Sequence, residues 1–377
     1  MADFDETFDW VVVGSGGGSM SSALLMRKAG KSVVILEKTD KVGGTTCKSG
    51  GVMWVPNNRF MNADGDVDNT DAAERYLAAL QELDGNPAPG STPAKRRAYV
   101  TQASRMIDFL VDQGIEMQRG HDFWPDYYDE LPGGCKTTRT VVAKPFNLKE
   151  LGPWEKRLRQ GFVEFNATLS EGMQVGHART NKGAKKVLAK LALRTIRDKI
   201  LGRRYTTAGA CLQGRMLKAS LAAGVDIRTS SGVDELVIEG GRVLGVVTKK
   251  DGKPWRIGAN LGVLLNAGGF AKNQAMRDQY IPGTRAEWSQ VPEGDTGDMH
   301  REVERHGGVL AQMDQMVGFQ MTLAPGWEKE YVAPGAQSIT GKPHSILVDQ
   351  SGVRYMNEGG SYELYCCLLY TSDAADE

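Results

Sequence analysis

A glycine-rich turn close to the start of the chain constrains the fold more than any other feature. The apolar run Trp10–Val13 leads into the turn Gly14–Ser19, and the segment Met20–Ala29 after it has a helical pattern. A second apolar run, Ser32–Leu36, ends at Glu37. Because strand, turn, helix and strand follow one another so closely, the sequence predicts a βαβ unit and a parallel sheet.

The spacing inside this turn is typical of dinucleotide binding. In the pattern Gly14-x-Gly16-x-x-Ser19 the first glycine permits the tight turn and the second lets the backbone approach a pyrophosphate. Glu37, 23 residues after Gly14, is placed to accept hydrogen bonds from an adenosine ribose, so NADP is less expected than NAD or FAD. The alternative, an accidental glycine-rich turn, would not require strand, helix and terminal acid in this register.

Composition argues against several other classes of protein. Lys and Arg number 46, as do Asp and Glu, so the formal charge is zero and a nucleic-acid partner is not expected. The apolar runs are too short for a membrane span. The acidic N-terminus is unlike a signal peptide and the five cysteines are scattered, so we expect reduced thiols in a cytoplasmic protein. Neither the cysteines nor the histidines have metal-ligand spacing, and no metal is expected.

The order of predicted helices and strands later in the chain helps to distinguish an NAD-binding fold from an FAD-binding fold. Four segments have helical patterns: Asp71–Leu83, Thr101–Gln113, Asn181–Arg204 and Gly209–Ala223. Three alternating segments predict an antiparallel meander: Val233–Ile238, Val243–Thr248 and Trp255–Ile257. A buried strand over Gly262–Asn266 then runs into Ala267-Gly268-Gly269. This order of elements resembles the FAD-binding fold of flavoproteins.

A second glycine-rich segment narrows the resemblance. The segment Thr39–Gly51 overlaps a predicted loop over Asp40–Trp54. It resembles the part of the fumarate reductase and 3-ketosteroid dehydrogenase superfamily that wraps the pyrophosphate and isoalloxazine. Three further segments resemble the same superfamily: Met53–Pro56, Trp124–Tyr128 and Gly352–Glu358. From these motifs the chain is identified as a member of the superfamily, with the 3-ketosteroid dehydrogenases as the narrower match.

The resemblance implies a fold class and a division into domains. We expect an α/β protein in which an α+β cap domain is inserted into a Rossmann-like FAD-binding domain. The first part of the FAD-binding domain is assigned to residues 1–276 and the start of the cap to 277–365. Residues 366–377 do not continue the family pattern and resemble a non-native tail. Because the family returns to a final FAD-binding half, we expect a truncated chain that binds FAD weakly and is inactive alone.

The two glycine-rich segments and the later strand supply the expected FAD-binding residues. They are Gly14, Ser15, Gly16, Gly17, Gly18, Ser19, Glu37, Lys38, Gly43, Gly44, Thr45, Thr46, Ser49, Gly50, Gly51, Ala267, Gly268 and Gly269. Backbone N–H groups and threonine hydroxyls suit a phosphate. The alternative for the second segment is a glycine-rich surface loop. Because respiratory succinate dehydrogenases attach FAD through a histidine that Gly43–Gly51 lacks, the flavin is expected to be non-covalent.

The resemblance also implies a reaction. In 3-ketosteroid 1-dehydrogenases a tyrosinate-like oxygen removes a proton next to the ketone, and hydride passes from the adjacent carbon to flavin N5. Tyr127 corresponds to a supporting active-site tyrosine, although it could be a packed aromatic, and Tyr331 lies near the expected position of the base. Arg354 and Glu358 either support proton delivery, as in fumarate reductases, or form a structural ion pair.

Three functions stay open at this point. The first is desaturation of a lipophilic 3-ketosteroid-like substrate, with an unknown electron acceptor. The second is a fumarate- or urocanate-reductase-like reaction on an unsaturated carboxylate, which the apolar residues Met313, Met316, Val317, Phe319 and Met321 and the lack of a His-Pro-Thr-Gly segment disfavour. The third is a flavin-binding module without enzymatic activity.

The segment 182–204 suggests a further partner. It holds nine basic residues and one acidic residue around an apolar stripe. This composition predicts either peripheral contact with an anionic membrane or a solvated basic helix face.

Overall fold

The computed structural model describes residues 3–82, 89–120, 124–161, 163–175, 181–318, 346–349, 351–356 and 358. The strands are β1 (Glu6–Val13), β2 (Val33–Leu36), β3 (Met53–Trp54), β4 (Met117–Arg119), β5 (Thr140–Ala143), β6 (Phe146–Asn147), β7 (Tyr205–Thr206), β8 (Asp226–Arg228), β9 (Glu235–Glu239), β10 (Arg242–Lys250) and β11 (Lys253–Leu265). The α-helices are α1 (Gly17–Lys28), α2 (Gly44–Lys48), α3 (Arg59–Ala63), α4 (Thr70–Glu82), α5 (Pro93–Asp112), α6 (Leu169–Val175), α7 (Lys182–Ile200), α8 (Ala208–Ala222), α9 (Gln274–Tyr280) and α10 (Asp298–Arg305). Two 3-10 helices cover Leu148–Arg157 and Ala286–Trp288. The predicted α/β class is confirmed.

A six-stranded sheet in the order β8-β2-β1-β11-β10-β9 forms the centre of the molecule. The first four strands are parallel, whereas β10 pairs antiparallel with both of its neighbours. Because successive side chains of a strand point to opposite faces, β1 and β2 supply both cores. Val12 and Ile35 pack in the larger apolar cluster with α1, α5 and α8, while Val11 and Val34 pack in the smaller one on the other face.

The third meander segment and the later buried strand are one continuous strand, which corrects the prediction. Its first part, Lys253–Gly258, pairs antiparallel with β10, and its later part, Ile257–Leu265, pairs parallel with β1. In the sequence, the polar residue Asn260 interrupts the apolar pattern and suggests that one strand ends there and another begins after it. In the structure the strand continues, because a register shift between Phe8 and Trp10 of β1 absorbs the irregularity.

The predicted helices are present, with one clear error in a boundary. Helix α5 begins at Pro93, eight residues before the predicted start. Thr92 caps it, since Thr92 Oγ1 accepts a hydrogen bond from Lys95 N at 3.3 Å, and proline is favoured at the first helical position. This capping signal was present in the sequence and was missed. The loop predicted over Asp40–Trp54 also contains the short elements α2 and β3.

Residues after β11 return to the central sheet. In α10, the Glu302 side chain accepts a hydrogen bond from Leu236 N of β9 at 2.8 Å. Among the described residues near the end of the chain, Val348 and Arg354 form an isolated antiparallel bridge. The domain boundaries at 276 and 365 stay predictions, and residues 366–377 lie outside the described residues. None of the helices in the described ranges is long and apolar enough to cross a membrane.

Candidate cofactor site

A cleft lies at the carboxyl ends of the parallel strands β1, β2 and β11. Val13 and Leu36, the last residues of β1 and β2, line it together with Asn266, which follows β11. Open parallel sheets bind their ligands at this edge. Most of the residues expected to bind FAD line the cleft: Gly14, Ser15, Gly16, Gly17, Gly18, Glu37, Lys38, Gly44, Thr45, Thr46, Ala267, Gly268 and Gly269.

The remaining expected residues, Ser19, Gly43, Ser49, Gly50 and Gly51, are not among those that line the cleft. Ser19 is fully buried, and its Oγ donates to Asn266 O at 3.4 Å. Ser49 O accepts a hydrogen bond from Gly209 N at 2.9 Å, so the later part of the second loop packs against the start of α8. Contact between these five residues and FAD stays a prediction.

The first turn has the close backbone approach that the motif predicts. Gly14 has φ +93°, and a Cβ there would lie 2.4 Å from Asn266 O, so the turn can run against the end of β11 only as glycine. Helix α1 begins at Gly17 without a side-chain cap from its N-cap residue, Gly16. Gly17 N donates to Thr46 Oγ1 at 3.1 Å. Helix N–H groups beside an unobstructed backbone fit a pyrophosphate.

Ser15 and Glu37 join the two glycine-rich loops. Ser15 Oγ accepts from Gly43 N at 2.9 Å and donates to Glu37 Oε2. Glu37 Oε1 accepts from Thr39 N at 2.8 Å. A carboxylate has about four acceptor positions, so Glu37 can keep these bonds and still accept from a ribose hydroxyl. The acid therefore organises the cleft as well as lining it, and its contact with a ribose stays a prediction.

A buried carboxylate closes the cleft from the side of α10. Asp295 Oδ2 accepts from Thr45 Oγ1 at 2.9 Å, and burial raises the pKa of the Asp295 carboxyl above its ordinary value. Gly268 has φ +82°, and a Cβ there would lie 2.0 Å from Asp295 Oδ1. Gly297 N also donates to Gly269 O at 3.0 Å. The turn before α10 is thereby fixed against the segment after β11.

Sequence reasoning missed several residues of the cleft. One missed residue is Asp298, whose Oδ2 accepts from Nζ of the expected residue Lys38 at 2.6 Å. Another is Arg159, whose Nη2 donates to Thr39 Oγ1 at 2.8 Å. Arg159 Nε is buried without a hydrogen-bond partner among the described residues, which leaves a cationic donor at the cleft. The run Gly294-Asp295-Thr296-Gly297-Asp298, at the start of α10, was a usable signal. No local pattern indicated Arg159, because it reaches the cleft only through the tertiary fold.

The structure describes one of the two expected active-site tyrosines. Tyr127 is 60% exposed and is not among the residues that line the cleft, and Tyr331 lies outside the described residues. Arg354 Nη2 donates to Glu358 Oε2 at 2.6 Å, and this bond lowers the pKa of Glu358 to about 2. The pair therefore exists as an ion pair, and its part in proton delivery stays a prediction. Within the described ranges, no group of three or more His, Cys, Asp or Glu side chains is placed to hold a metal.

Comparison with known proteins assigns the chain to a family. Residues 9–372 match the family described as FAD binding domain. The chain is 32% identical to a 3-oxosteroid 1-dehydrogenase of Mycolicibacterium smegmatis, over 97% of this chain and 64% of that protein. It is also 31% identical to a 4-oxocyclohex-2-ene-1-carboxylate 5-dehydrogenase of Sinomonas cyclohexanicum, over 98% of this chain and 63% of that protein. The chain thus spans less than two thirds of the length of these curated relatives.

A solved structure of a related enzyme has a similar fold. It is the 3-ketosteroid delta1-dehydrogenase of Sterolibacterium denitrificans in complex with 1,4-androstadiene-3,17-dione, with a TM-score of 0.85 and 30% identity. The match covers 98% of this chain and 67% of that one. The predicted resemblance is confirmed: the chain belongs to the FAD-binding-domain family of flavoproteins, is a homologue of the 3-oxosteroid 1-dehydrogenases, and has FAD as its cofactor.

Proposed function

We propose that the protein containing this chain is an FAD-dependent dehydrogenase that desaturates a cyclic ketone of the 3-ketosteroid type. The observation that carries the proposal is a hydrogen bond that joins the strand after the second glycine-rich loop to the segment with Tyr127. The second glycine-rich loop runs into β3, and Trp54 Nε1 of β3 donates to Asp126 Oδ1 at 2.7 Å. The relatives named above supply the class of reaction.

The proposed reaction removes a proton and a hydride from adjacent carbons. FAD, when bound, supplies the oxidant that accepts the hydride at N5. A tyrosine oxygen of the protein takes the proton from the carbon next to the ketone, and the electron pair left behind forms the new C=C bond. The tyrosine pKa of ~10 must be lowered for this step, which a hydrogen-bond donor beside it would achieve. We assign the base to Tyr331 and the supporting role to Tyr127.

An anaerobic titration tests this function in the natural full-length gene product. A 3-ketosteroid should bleach the visible absorbance of the flavin, and 4-oxocyclohexanecarboxylate serves as a second substrate with a smaller, charged ring. Bleaching by the smaller ring alone would move the substrate class to single-ring ketones. If both leave the flavin oxidised while fumarate reoxidises chemically reduced protein, the alternative carboxylate-reductase function is supported instead. A protein that binds flavin and reacts with none of the three is the non-enzymatic module.

The same titration tests whether the 377-residue chain is inactive alone. We expect it to bind FAD more weakly than the full-length product does, and to keep the flavin oxidised when the ketone is added. Turnover by the short chain at the full-length rate would contradict this expectation.

We also propose that α7 contacts an anionic membrane surface. Ala184, Leu191 and Asp198 form its buried line at seven-residue spacing. On the opposite side Leu193, Ile196 and Ile200 are 70%, 56% and 79% exposed, and lysines flank them. Exposed aliphatic side chains between basic residues suit the boundary between lipid headgroups and acyl chains. Such contact would bring the protein close to a lipophilic substrate.

Sedimentation with lipid vesicles tests the membrane contact. Vesicles that contain phosphatidylglycerol should carry the protein down at low salt, whereas pure phosphatidylcholine vesicles should not. Ile196→Asp should abolish the effect, and Val67→Asp, at an apolar residue that is 96% exposed elsewhere, should leave it unchanged. Equal sedimentation of both variants would show that α7 is merely a solvated basic face.

A further inference from the structure

A buried network of charges lies behind the segment that carries Tyr127. The Arg139 side chain is 2% exposed and donates from Nε and Nη2 to both oxygens of Asp68, at 3.0 and 2.8 Å. Its Nη1 donates to Asp126 Oδ2 at 2.7 Å. The two carboxylate side chains are 4% and 1% exposed, so the whole group is shielded from water.

Asp126 connects the Tyr127 segment to the cofactor loop. Its Oδ1 accepts from Trp54 Nε1 at 2.7 Å and its Oδ2 also accepts from Cys135 N at 3.0 Å. Trp54 follows the second glycine-rich loop after two residues, and its ring is stacked on Tyr99 at 6.1 Å. The hydroxyl of Tyr99 donates to Trp54 O at 2.7 Å. The Asp126 carboxylate therefore bonds to β3, to Arg139 and to the backbone at Cys135.

The residue on the other side of Tyr127 is held as well. Tyr128 N donates to the hydroxyl of Tyr76 at 3.3 Å, and burial raises the pKa of Tyr76 to about 12, so this hydroxyl stays neutral. The Arg139 guanidinium lies 5.9 Å from the centre of the Tyr76 ring. The backbone is thus anchored before and after Tyr127, while the Tyr127 side chain is 60% exposed.

Stability alone does not account for this arrangement. Desolvating an arginine and two carboxylates is costly, and apolar residues of similar volume often stabilise a core as well or better. What a fully paired buried network does provide is a defined geometry, because each partner would be left unsatisfied if the segment moved. The aromatic rings of Trp54 and Tyr76 against Arg139 restrict the guanidinium further.

We propose that Arg139 is a positioning residue: through Asp126 and Trp54 it sets the place of Tyr127 relative to the cofactor loop. The proposal rests on the proposed function, since it needs Tyr127 to act on substrate. Trp54 and Asp126 belong to the same hydrogen-bond network, and Arg139 itself does not contact the reacting atoms.

A double-mutant cycle in the full-length holoenzyme tests the proposal. Arg139→Gln should lower kcat at least tenfold, change the pH profile of kcat, and weaken binding of the 1,4-diene product, followed by its perturbation of the flavin spectrum. In a Tyr127→Phe background the same substitution should lower kcat less than threefold, because the hydroxyl that Arg139 positions is already absent. Arg139→Lys, which keeps the charge without the paired donors, should restore part of the loss.

Two further variants separate positioning from loss of structure. Arg119→Gln is the matched control, because the Arg119 side chain of β4 is 8% exposed and forms ion pairs with Asp64 and Asp66. Among the described residues, none of its hydrogen bonds goes to Asp126. Arg119→Gln should leave the pH profile unchanged. Trp54→Phe keeps the buried ion pairs, removes the bond to Asp126, and should lower kcat about threefold or more without unfolding.

The outcomes distinguish the two proposals. Losses that multiply fully in the Tyr127→Phe background, or an Arg119→Gln variant as impaired as Arg139→Gln, would show that Arg139 is structural only. A wild-type protein that turns over no ketone would instead defeat the proposed function. In that case unchanged protease sensitivity of the 124–138 segment in Arg139→Gln would overturn the positioning claim independently.

Discussion

Replacing Gly14 by alanine tests the packing on which the cofactor cleft depends. The residue has φ +93°, and its new Cβ would lie 2.4 Å from Asn266 O and 2.9 Å from Ala267 Cα. A left-handed φ costs a residue with a Cβ about 1–2 kcal/mol. A carbon–oxygen contact needs about 3.3 Å, and relieving such an overlap between two backbone segments costs about 1–3 kcal/mol more. We therefore expect Gly14→Ala to destabilise the protein by about 2–5 kcal/mol in total.

Gly30→Ala is the matched control, because Gly30 has φ +79° and nothing within 4 Å of its Cβ position. It should lose only the backbone part, about 1–2 kcal/mol. Urea unfolding followed by fluorescence gives both free energies of unfolding, and FAD titration should show at least tenfold weaker binding for Gly14→Ala alone. If the two variants are destabilised equally and bind FAD equally, the close approach of β1 and β11 does not shape the site.

Three other outcomes follow from the contacts described above. Thr46→Val removes the acceptor of Gly17 N and should destabilise the protein by about 1 kcal/mol, measured by urea unfolding; an unchanged midpoint would show that the bond is replaced by water. The Arg228 guanidinium holds the pKa of Glu6 below its usual value of 4.5, so the stability from this pair is present above pH 4.5 and is lost as pH falls through the lowered pKa. Glu6→Gln should therefore flatten the acid side of a plot of urea midpoint against pH, and an identical plot would contradict the assignment. Acid precipitation of the holoprotein should release all flavin into the supernatant, and flavin retained in the pellet would show a covalent link.

Local sequence patterns predicted more of the cofactor site than of the active site. Gly14, Glu37 and the second glycine-rich loop were recognisable because they stand at characteristic spacings around the predicted strands β1 and β2. Ser49–Gly51 illustrate the limit of that reasoning. They have the same glycine-rich composition as the residues that line the cleft, yet their position is set by the start of α8, more than 150 residues later in the chain.

The sequence alone therefore determined the βαβ unit, the class of cofactor and the family, since these depend on periodic apolar patterns and on glycines at short spacing. Only the tertiary structure decided that β11 is one strand shared by two pairings, that Arg159 and Asp295 reach the cleft, and that Arg139 lies between two carboxylates behind Tyr127. Each of these features joins residues distant in sequence through a single contact. Such a contact leaves no period and no spacing in the chain, because it is selected by which surfaces meet when the core is buried.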